Sequence, residues 1–231
     1  MGDMYSLWLT VQKELAKVER WGSYRVRNPK LRKQSTLQHQ FSICLVIMPI
    51  LFKLKEYYFI LDTELLKDAF LLHDIPEGLL RMKKDVQSNA KKDHHDFSEY
   101  MAFENHFSHL EKKVYNHLLR IYLLQFAHKS NEALALFPQE ALEIIIDLRR
   151  RNPIEVALFP ALEHWEYLFY AYECYLDKKD DVIFVNVLRS QVPRLQKHAE
   201  DIRGFRDVLF PKCFEDRLVE FINERHSVLV C

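Results

Sequence analysis

Apolar residues recur three or four positions apart along most of the chain, which is the spacing of one face of a helix. The first such segment predicts an amphipathic helix over residues 4–21, followed by a polar loop. A second helix should begin at Ser35 or Thr36, either of which can cap it, and run to about residue 58. Its sequence, LQHQFSICLVIMPILFKL, is apolar on nearly all sides and predicts a central, buried helix with a kink at Pro49.

The helical pattern continues to the end of the chain, with no convincing strand and no internal repeat. Pro76 pushes the residue before it out of the helical region, so we expect a bend around Asp74–Ile75. The predicted fold class is therefore all-α, with a single helical domain over residues 1–231. The remaining helices are predicted at about 62–73, 97–127, 138–151 and 154–177, with one or two more in 181–231.

Composition supports a helical, globular protein. Of 231 residues, 48% are hydrophobic and 29% are charged, which is ordinary for a soluble domain. The chain has only four glycines, which argues against a fold rich in tight turns or glycine-lined phosphate loops. Neither GxxxxGK[ST] nor GxGxxG occurs, so both common nucleotide-binding fingerprints are absent from the sequence.

The charge balance predicts neither a nucleic-acid partner nor a membrane partner, because 33 basic and 33 acidic residues cancel. The N-terminus, MGDMYSLWLT, lacks the basic start and continuous apolar core of a signal peptide. The most apolar run, Phe41 to Phe52, is shorter than the roughly 20 residues that cross a bilayer. The four cysteines are scattered and form no CxxC pair. We therefore expect a reducing, cytoplasmic setting.

A short segment after the third predicted helix concentrates side chains suited to metal binding or acid–base chemistry. His73, Asp74 and Glu77 lie within five residues at the predicted bend, at the edge of the core, where polar groups need partners. His39, near the start of the neighbouring apolar helix, is a second histidine predicted to be buried. The other His-Asp pair, His95-Asp96, lies in a polar, lysine-rich stretch and is predicted to be a solvated surface pair.

Taken in order, these motifs resemble those of the HD-domain phosphohydrolases, and most closely the branch that includes bacterial 5′-deoxyribonucleotidases. That branch has an Arg-Trp ending the first helix, an S-[VT]-x-E-H segment, an H-D-x-x-E motif, a Gly-Asp shortly after it and an isolated Asp in a late helix. Here Arg20-Trp21 ends the first predicted helix, and residues 35–39 and 73–77 match the next two motifs. The resemblance covers roughly residues 10–180.

The chain departs from this pattern at three places. Gln38 replaces the family's Glu, which should change a supporting contact and not a ligand. The family's Gly-Asp is displaced, with Asp85 three residues late. Aligning the apolar run LFYAYECY with the family's late helix puts Glu163 in the place of the isolated Asp, and His164 would take that place if the alignment is off by one residue.

The resemblance implies an HD-type helical bundle that holds one divalent transition metal ion (Mn, Co, Fe, Ni or Zn). The implied metal ligands are His39, His73, Asp74 and Glu163. Two imidazoles and two carboxylates suit such an ion better than Mg, which prefers oxygen ligands.

The same resemblance implies the roles of the other candidate residues. Glu77 would act on water as the general base, with Asp85 as a further catalytic residue. Arg20 would hold the phosphate and Trp21 would pack on the sugar or base. The implied substrate is a small-molecule phosphate ester, a nucleoside 5′-monophosphate. The sequence leaves a homodimer open.

Two other functions stay open at this point. In a binuclear HD phosphodiesterase, His94, His95, His106 or His109 would supply ligands to a second metal ion. In a non-catalytic metal-binding or interaction protein, the helical scaffold would persist after the ligand change at Glu163.

Overall fold

The computed structural model describes residues 2–20, 34–80, 95–178 and 181–229, and these are almost entirely helical, which confirms the predicted all-α fold class. Two short strands, β1 (Glu19–Arg20) and β2 (Gln34–Ser35), and a 3-10 turn over Leu124–Phe126 accompany the helices. The described helices are α1 (Gly2–Leu15), α2 (Thr36–Leu54), α3 (Thr63–Leu72), α4 (Ile75–Leu80), α5 (His95–Phe107), α6 (Lys112–Leu123), α7 (Gln139–Arg151), α8 (Pro153–Lys178), α9 (Asp181–Asp201), α10 (Phe205–Val208) and α11 (Lys212–Leu229).

Helix α3 lies at the centre of the packing, in contact with α2, α6 and α8. Its residue Phe70 is fully buried and stacks on Phe159 of α8, with 4.4 Å between the ring centroids. A continuous cluster of buried apolar side chains surrounds this stack. The end of α3 is therefore held firmly against its neighbours, since close-packed interiors resist displacement.

The first helix is shorter than predicted, because it ends at Leu15 and the chain then enters β1. In the antiparallel pair, Glu19 lies opposite Ser35 and Arg20 opposite Gln34. The prediction that Arg20 ends the first helix is thus wrong. The pairing gives the backbone of this segment partners other than those of a helix, and a two-residue strand is too short to leave an alternating sequence pattern.

Helix α2 begins where predicted, with Ser35 as its N-cap. The Ser35 hydroxyl accepts a hydrogen bond from Gln38 N (3.2 Å), and the Gln38 side-chain oxygen accepts one from Ser35 N (2.9 Å). This reciprocal capping box accounts for a glutamine at the position where the resembling family has a glutamate, because either residue can close the box.

Burial of α2 is one-sided, which corrects the prediction of a helix buried on nearly all sides. One face carries buried residues such as Ile43 and Ile47, but Leu45 is 67% exposed and Phe52 is 72% exposed. The helix continues through Pro49 and ends at Leu54, earlier than predicted. Among the described helices, α2 alone is long and apolar enough to cross a membrane, a test that the core helix of a soluble protein also passes.

The predicted bend after the third helix is present. Helix α3 ends at Leu72 with His73 as its C-cap, and α4 starts at Ile75. His73 and Asp74 therefore lie between two helices, with Pro76 in the first turn of the second, where proline is tolerated.

The long helix predicted over 97–127 is instead a hairpin of α5 and α6, joined by residues 108–111. Folding back brings Phe103 of α5 against Tyr122 of α6, and their rings stack with centroids 4.2 Å apart. Both side chains are fully buried. The connection contains neither Gly nor Pro, so the sequence carries no local signal for this break.

The last segment holds three described helices, α9 to α11, where the sequence predicts one or two. Helix α9 packs along α8, and α11 packs on α9. Glu215 of α11 is buried and accepts hydrogen bonds from Arg206 (2.6 Å) and Gln196 (2.8 Å). The Arg206 guanidinium is the main reason that the pKa of Glu215 falls to about 2, so this charged contact anchors the C-terminal helices.

Gly204, between α9 and α10, is required by its backbone conformation. Its φ is +76°, and a Cβ there would lie 2.5 Å from Cγ of Tyr57. We expect Gly204→Ala to lower the free energy of unfolding by about 1–3 kcal/mol, measured by urea denaturation, because it adds left-handed strain and overpacking. The same change in a Tyr57→Ala background should cost less. A Gly204→Ala protein as stable as the parent would contradict this interpretation.

Candidate metal centre

The structure brings three of the predicted metal ligands together at the end of α3. His39 comes from the first turn of α2, and His73 and Asp74 from the break between α3 and α4. Their potential ligand atoms all lie within 4.8 Å of one another, and all three residues are buried. Residues 34 positions apart in sequence thus meet because α2 packs on α3.

The imidazole of His73 is oriented by a hydrogen bond from its Nδ1 to the carbonyl oxygen of Phe70 (2.9 Å). A carbonyl oxygen only accepts, so Nδ1 carries a proton, and when the ring is neutral its lone pair is on Nε2. That Nε2 lies 3.2 Å from Asp74 Oδ1 and 3.8 Å from Glu163 Oε1. The lone pair of His73 therefore faces carboxylate oxygens.

His39 has a matching arrangement with a carboxylate in place of the carbonyl. Its Nδ1 lies 3.0 Å from Oε1 of Glu166, a buried residue of α8, and its Nε2 lies 3.6 Å from Asp74 Oδ2. The ring meets that of His73 edge to face, with 6.0 Å between centroids. The Nε2 atoms of both histidines therefore converge on the carboxylate of Asp74.

This convergence fits a divalent cation. A nitrogen lone pair that faces a carboxylate oxygen is repelled by it unless a proton or a metal ion lies between the two atoms. Histidines that bind metals hold the other ring nitrogen against a carboxylate or a backbone carbonyl, which fixes the tautomer and the ring orientation. The hydrogen bond of His73 to Phe70 is of this kind, and the Glu166 carboxylate lies at the corresponding place beside Nδ1 of His39.

The fourth predicted ligand, Glu163, lies at the edge of this group. Its side chain is 38% exposed and its carboxylate approaches Nε2 of His73. The neighbouring His164 contacts α9, with its Nδ1 2.9 Å from Nε2 of His198 and its Nε2 3.2 Å from Nη1 of Arg194. Of the two candidates, Glu163 is the one that lies against the histidine pair, with its Oε1 3.8 Å from Nε2 of His73.

Glu77, the predicted general base, lies in the first turn of α4 and is half-buried. The hydroxyl of the buried Thr36 donates to Glu77 Oε2 at 3.4 Å, and the backbone N–H of Glu77 donates to the carbonyl of Asp74. Thr36 also begins α2, so the same helix start that presents His39 also orients Glu77.

His73, Asp74, Glu77 and Glu163 line a cavity of about 190 Å³, which we call the central cavity. Gln125 forms part of its wall and donates a hydrogen bond to the carbonyl of His73. The described residues that line it are His73, Asp74, Glu77, His95, Asp96, Glu99, Gln125, Phe126, His128, Lys129, Pro160, Glu163 and His164.

The central cavity holds a second group of metal-competent side chains, which corrects the prediction that His95-Asp96 is a solvated surface pair. His95, Asp96 and Glu99 have potential ligand atoms within 4.8 Å of one another. His95 Nδ1 lies 3.0 Å from Glu99 Oε1, and only 24% of the His95 side chain is exposed. The preceding lysine-rich stretch concealed the helical spacing that puts all three on one face of α5.

Charges in this second group are already matched. Burial raises the pKa of Glu99, and the contact with the Glu99 carboxylate raises the pKa of His95. Asp96 forms an ion pair with Lys129. Glu99 therefore has His95 as its partner, and Asp96 has the Lys129 ammonium.

The remaining predicted residues divide into two sets. Trp21, Asp85 and His94 lie outside the described residues, and Arg20 is described only as the backbone of β1. His106 donates from Nδ1 to the carbonyl of Ala102, and His109 is exposed. Of the described histidines considered for a second metal, only His95 lines the central cavity.

No protein-family model matches the chain, and neither the curated proteins nor the solved structures give a match. The resemblance of its motifs to the HD-domain phosphohydrolases therefore stays a prediction.

Glu166 is the supporting residue that the sequence did not single out, and its removal is a direct test of the His39 orientation. We expect Glu166→Ala to weaken divalent-metal affinity by about 10- to 100-fold, because His39 loses the carboxylate at its Nδ1. Competition with a chromogenic chelator measures this affinity. Glu173→Ala, seven residues along the same helix, is the matched control and should bind metal like the parent. If Glu166→Ala and Glu173→Ala have the same metal affinity, Glu166 does not support the metal site.

Proposed function

We propose that this chain is an HD-type, metal-dependent phosphohydrolase that cleaves the phosphomonoester of nucleoside 5′-monophosphates. The observation that supports it most is the convergence of the His39 and His73 Nε2 atoms on Asp74, with Glu77 beside them on the wall of the central cavity. A buried ligand group next to a candidate acid–base residue is the arrangement expected of an active site.

In this proposal His39, His73, Asp74 and Glu163 hold the metal ion. Their mixture of imidazole and carboxylate donors suits Mn, Co, Fe, Ni or Zn. When bound, such an ion acidifies water and neutralises charge on the phosphoryl group. Burial of three of these residues keeps bulk water away and strengthens electrostatic interactions inside the site.

Glu77 provides the acid–base chemistry. Thr36 fixes one of its carboxylate oxygens, and the side chain faces the central cavity. Glu77 takes a proton from the attacking water as the new phosphorus–oxygen bond forms. The bond to the nucleoside 5′-oxygen breaks, and that oxygen receives the proton, so the products are the nucleoside and inorganic phosphate.

A second candidate is a binuclear phosphodiesterase. The observation in its favour is the His95, Asp96 and Glu99 group, which lines the same cavity and could take a second ion. The two enzymes differ in metal content, two ions against one, and in whether a phosphodiester is cleaved. A non-catalytic metal-binding protein would bind metal and hydrolyse neither the phosphomonoester nor the phosphodiester.

The role of Glu77 can be separated from metal binding. We expect Glu77→Gln to retain the metal but to release phosphate at least 100-fold more slowly from a panel of nucleoside 5′-monophosphates, because the base is lost while the ligands remain. Glu111→Gln, an exposed N-cap position of α6, is the control and should be unaffected. If Glu77→Gln releases phosphate at the rate of the parent, Glu77 has a structural role and is not the general base.

The choice between Glu163 and His164 is decided by metal affinity. Glu163→Gln should weaken metal binding, because a neutral amide oxygen is a poorer ligand than a carboxylate, whereas His164→Ala should have little effect. Chelator competition on both variants measures this. A damaging His164→Ala with a silent Glu163→Gln would reverse the assignment.

A further inference from the structure

Both carboxylates of the second group have basic side chains as partners. Asp96 pairs with the Lys129 ammonium, and Glu99 lies 3.0 Å from the ring nitrogen of His95. A metal ion that binds this group would have to displace Lys129 from Asp96 and leave an ammonium in a half-buried wall without its counter-charge. The group therefore has the donor atoms of a metal site, but one of its carboxylates, Asp96, already has a lysine as its counter-charge.

Lys129 is held in place from several directions. Its side chain is 18% exposed, and its Nζ lies 5.2 Å from the centroid of the Phe126 ring, within the range of a cation–π contact. The backbone around it is fixed by Arg149 of α7, which donates to the carbonyls of Ala127 and Lys129 and to the side chain of Asn131. This ammonium is a positioned charge on the cavity wall.

The charge of the central cavity shows why such a cation matters. Five carboxylates line it, whereas Lys129 is the only lysine or arginine among its described lining residues. A phosphate dianion would meet strong repulsion here, and one divalent ion offsets only part of it. A second positive charge is needed, and Lys129 lies on the α5 side of the cavity, where the second ligand group is found.

We infer that Lys129 takes the place of a second metal ion: its ammonium binds a phosphate oxygen, while one divalent ion on His39, His73 and Asp74 binds the same phosphate group. Asp96 is then a positioning residue for Lys129. The choice of phosphate as the ligand rests on the proposed function. Lysine binds phosphate as a point charge, so it can serve the oxygen that a second ion would otherwise contact.

The first test is the metal content of the parent protein. After equilibration with excess Mn²⁺ and removal of loosely bound ion, elemental analysis should give one ion per chain. Two ions per chain would overturn the inference, because the second group would then be a metal site and not a lysine site.

The second test measures binding of inorganic phosphate by calorimetry to protein loaded with one equivalent of Mn²⁺. Lys129→Met should bind phosphate at least about tenfold more weakly, since a charged hydrogen bond is lost. Lys129→Arg should stay close to the parent, and the exposed Lys113→Met is the matched control. Unchanged phosphate affinity in Lys129→Met would overturn the inference.

Neither readout needs turnover, which separates this inference from the proposed function. Lys129-dependent phosphate binding without hydrolysis of any nucleotide would reject the hydrolase and keep the lysine role. Hydrolysis of a nucleotide by protein with two ions per chain would keep the hydrolase and reject the lysine role. If Lys129→Met does not fold, the phosphate affinity of Lys129→Gln and the metal content of the parent test the inference in its place.

Discussion

Four ionisable side chains, His39, His73, Asp74 and Glu166, are almost completely buried where α2, α3 and α8 meet. Burying charge is costly unless each group has a partner of suitable charge. Their mutual arrangement, with both Nε2 atoms toward one carboxylate and each Nδ1 toward an acceptor, is balanced best by a divalent cation. Metal binding and folding should therefore be coupled, because an ion that binds only the folded chain stabilises it.

The same constraint organises the rest of the cavity. On the α3 and α4 side, His39, His73 and Asp74 could hold a metal ion, while on the α5 side Lys129 and His95 already pair with Asp96 and Glu99. In the proposed hydrolase, these two sides would bind one phosphate group from opposite directions, with Glu77 beside the attacking water. Under this proposal, the asymmetry would let a cavity with two groups of potential ligands work with a single ion.

The sequence predicts what depends on local pattern and misses what depends on packing. The cluster from His73 to Glu77 is visible because three polar residues interrupt an apolar helix at a proline. Glu166 leaves no such signal, since only the packing of α8 on α3 brings it to His39. Helix α2 is apolar on nearly all sides, so its sequence does not indicate which face is exposed to solvent. Leu45, for example, is predicted to be buried but is exposed.

The proposed metal centre depends most directly on whether His73 binds a metal ion. His106 provides a matched control, because it makes the same Nδ1 hydrogen bond to a helix carbonyl but does not line the central cavity. Elemental analysis of protein purified without chelator, for the parent, His73→Ala and His106→Ala, is the measurement. We predict about one transition-metal ion per chain in the parent and in His106→Ala, and none in His73→Ala. Equal metal content in the parent and His73→Ala, or none in the parent after metal loading, would contradict it.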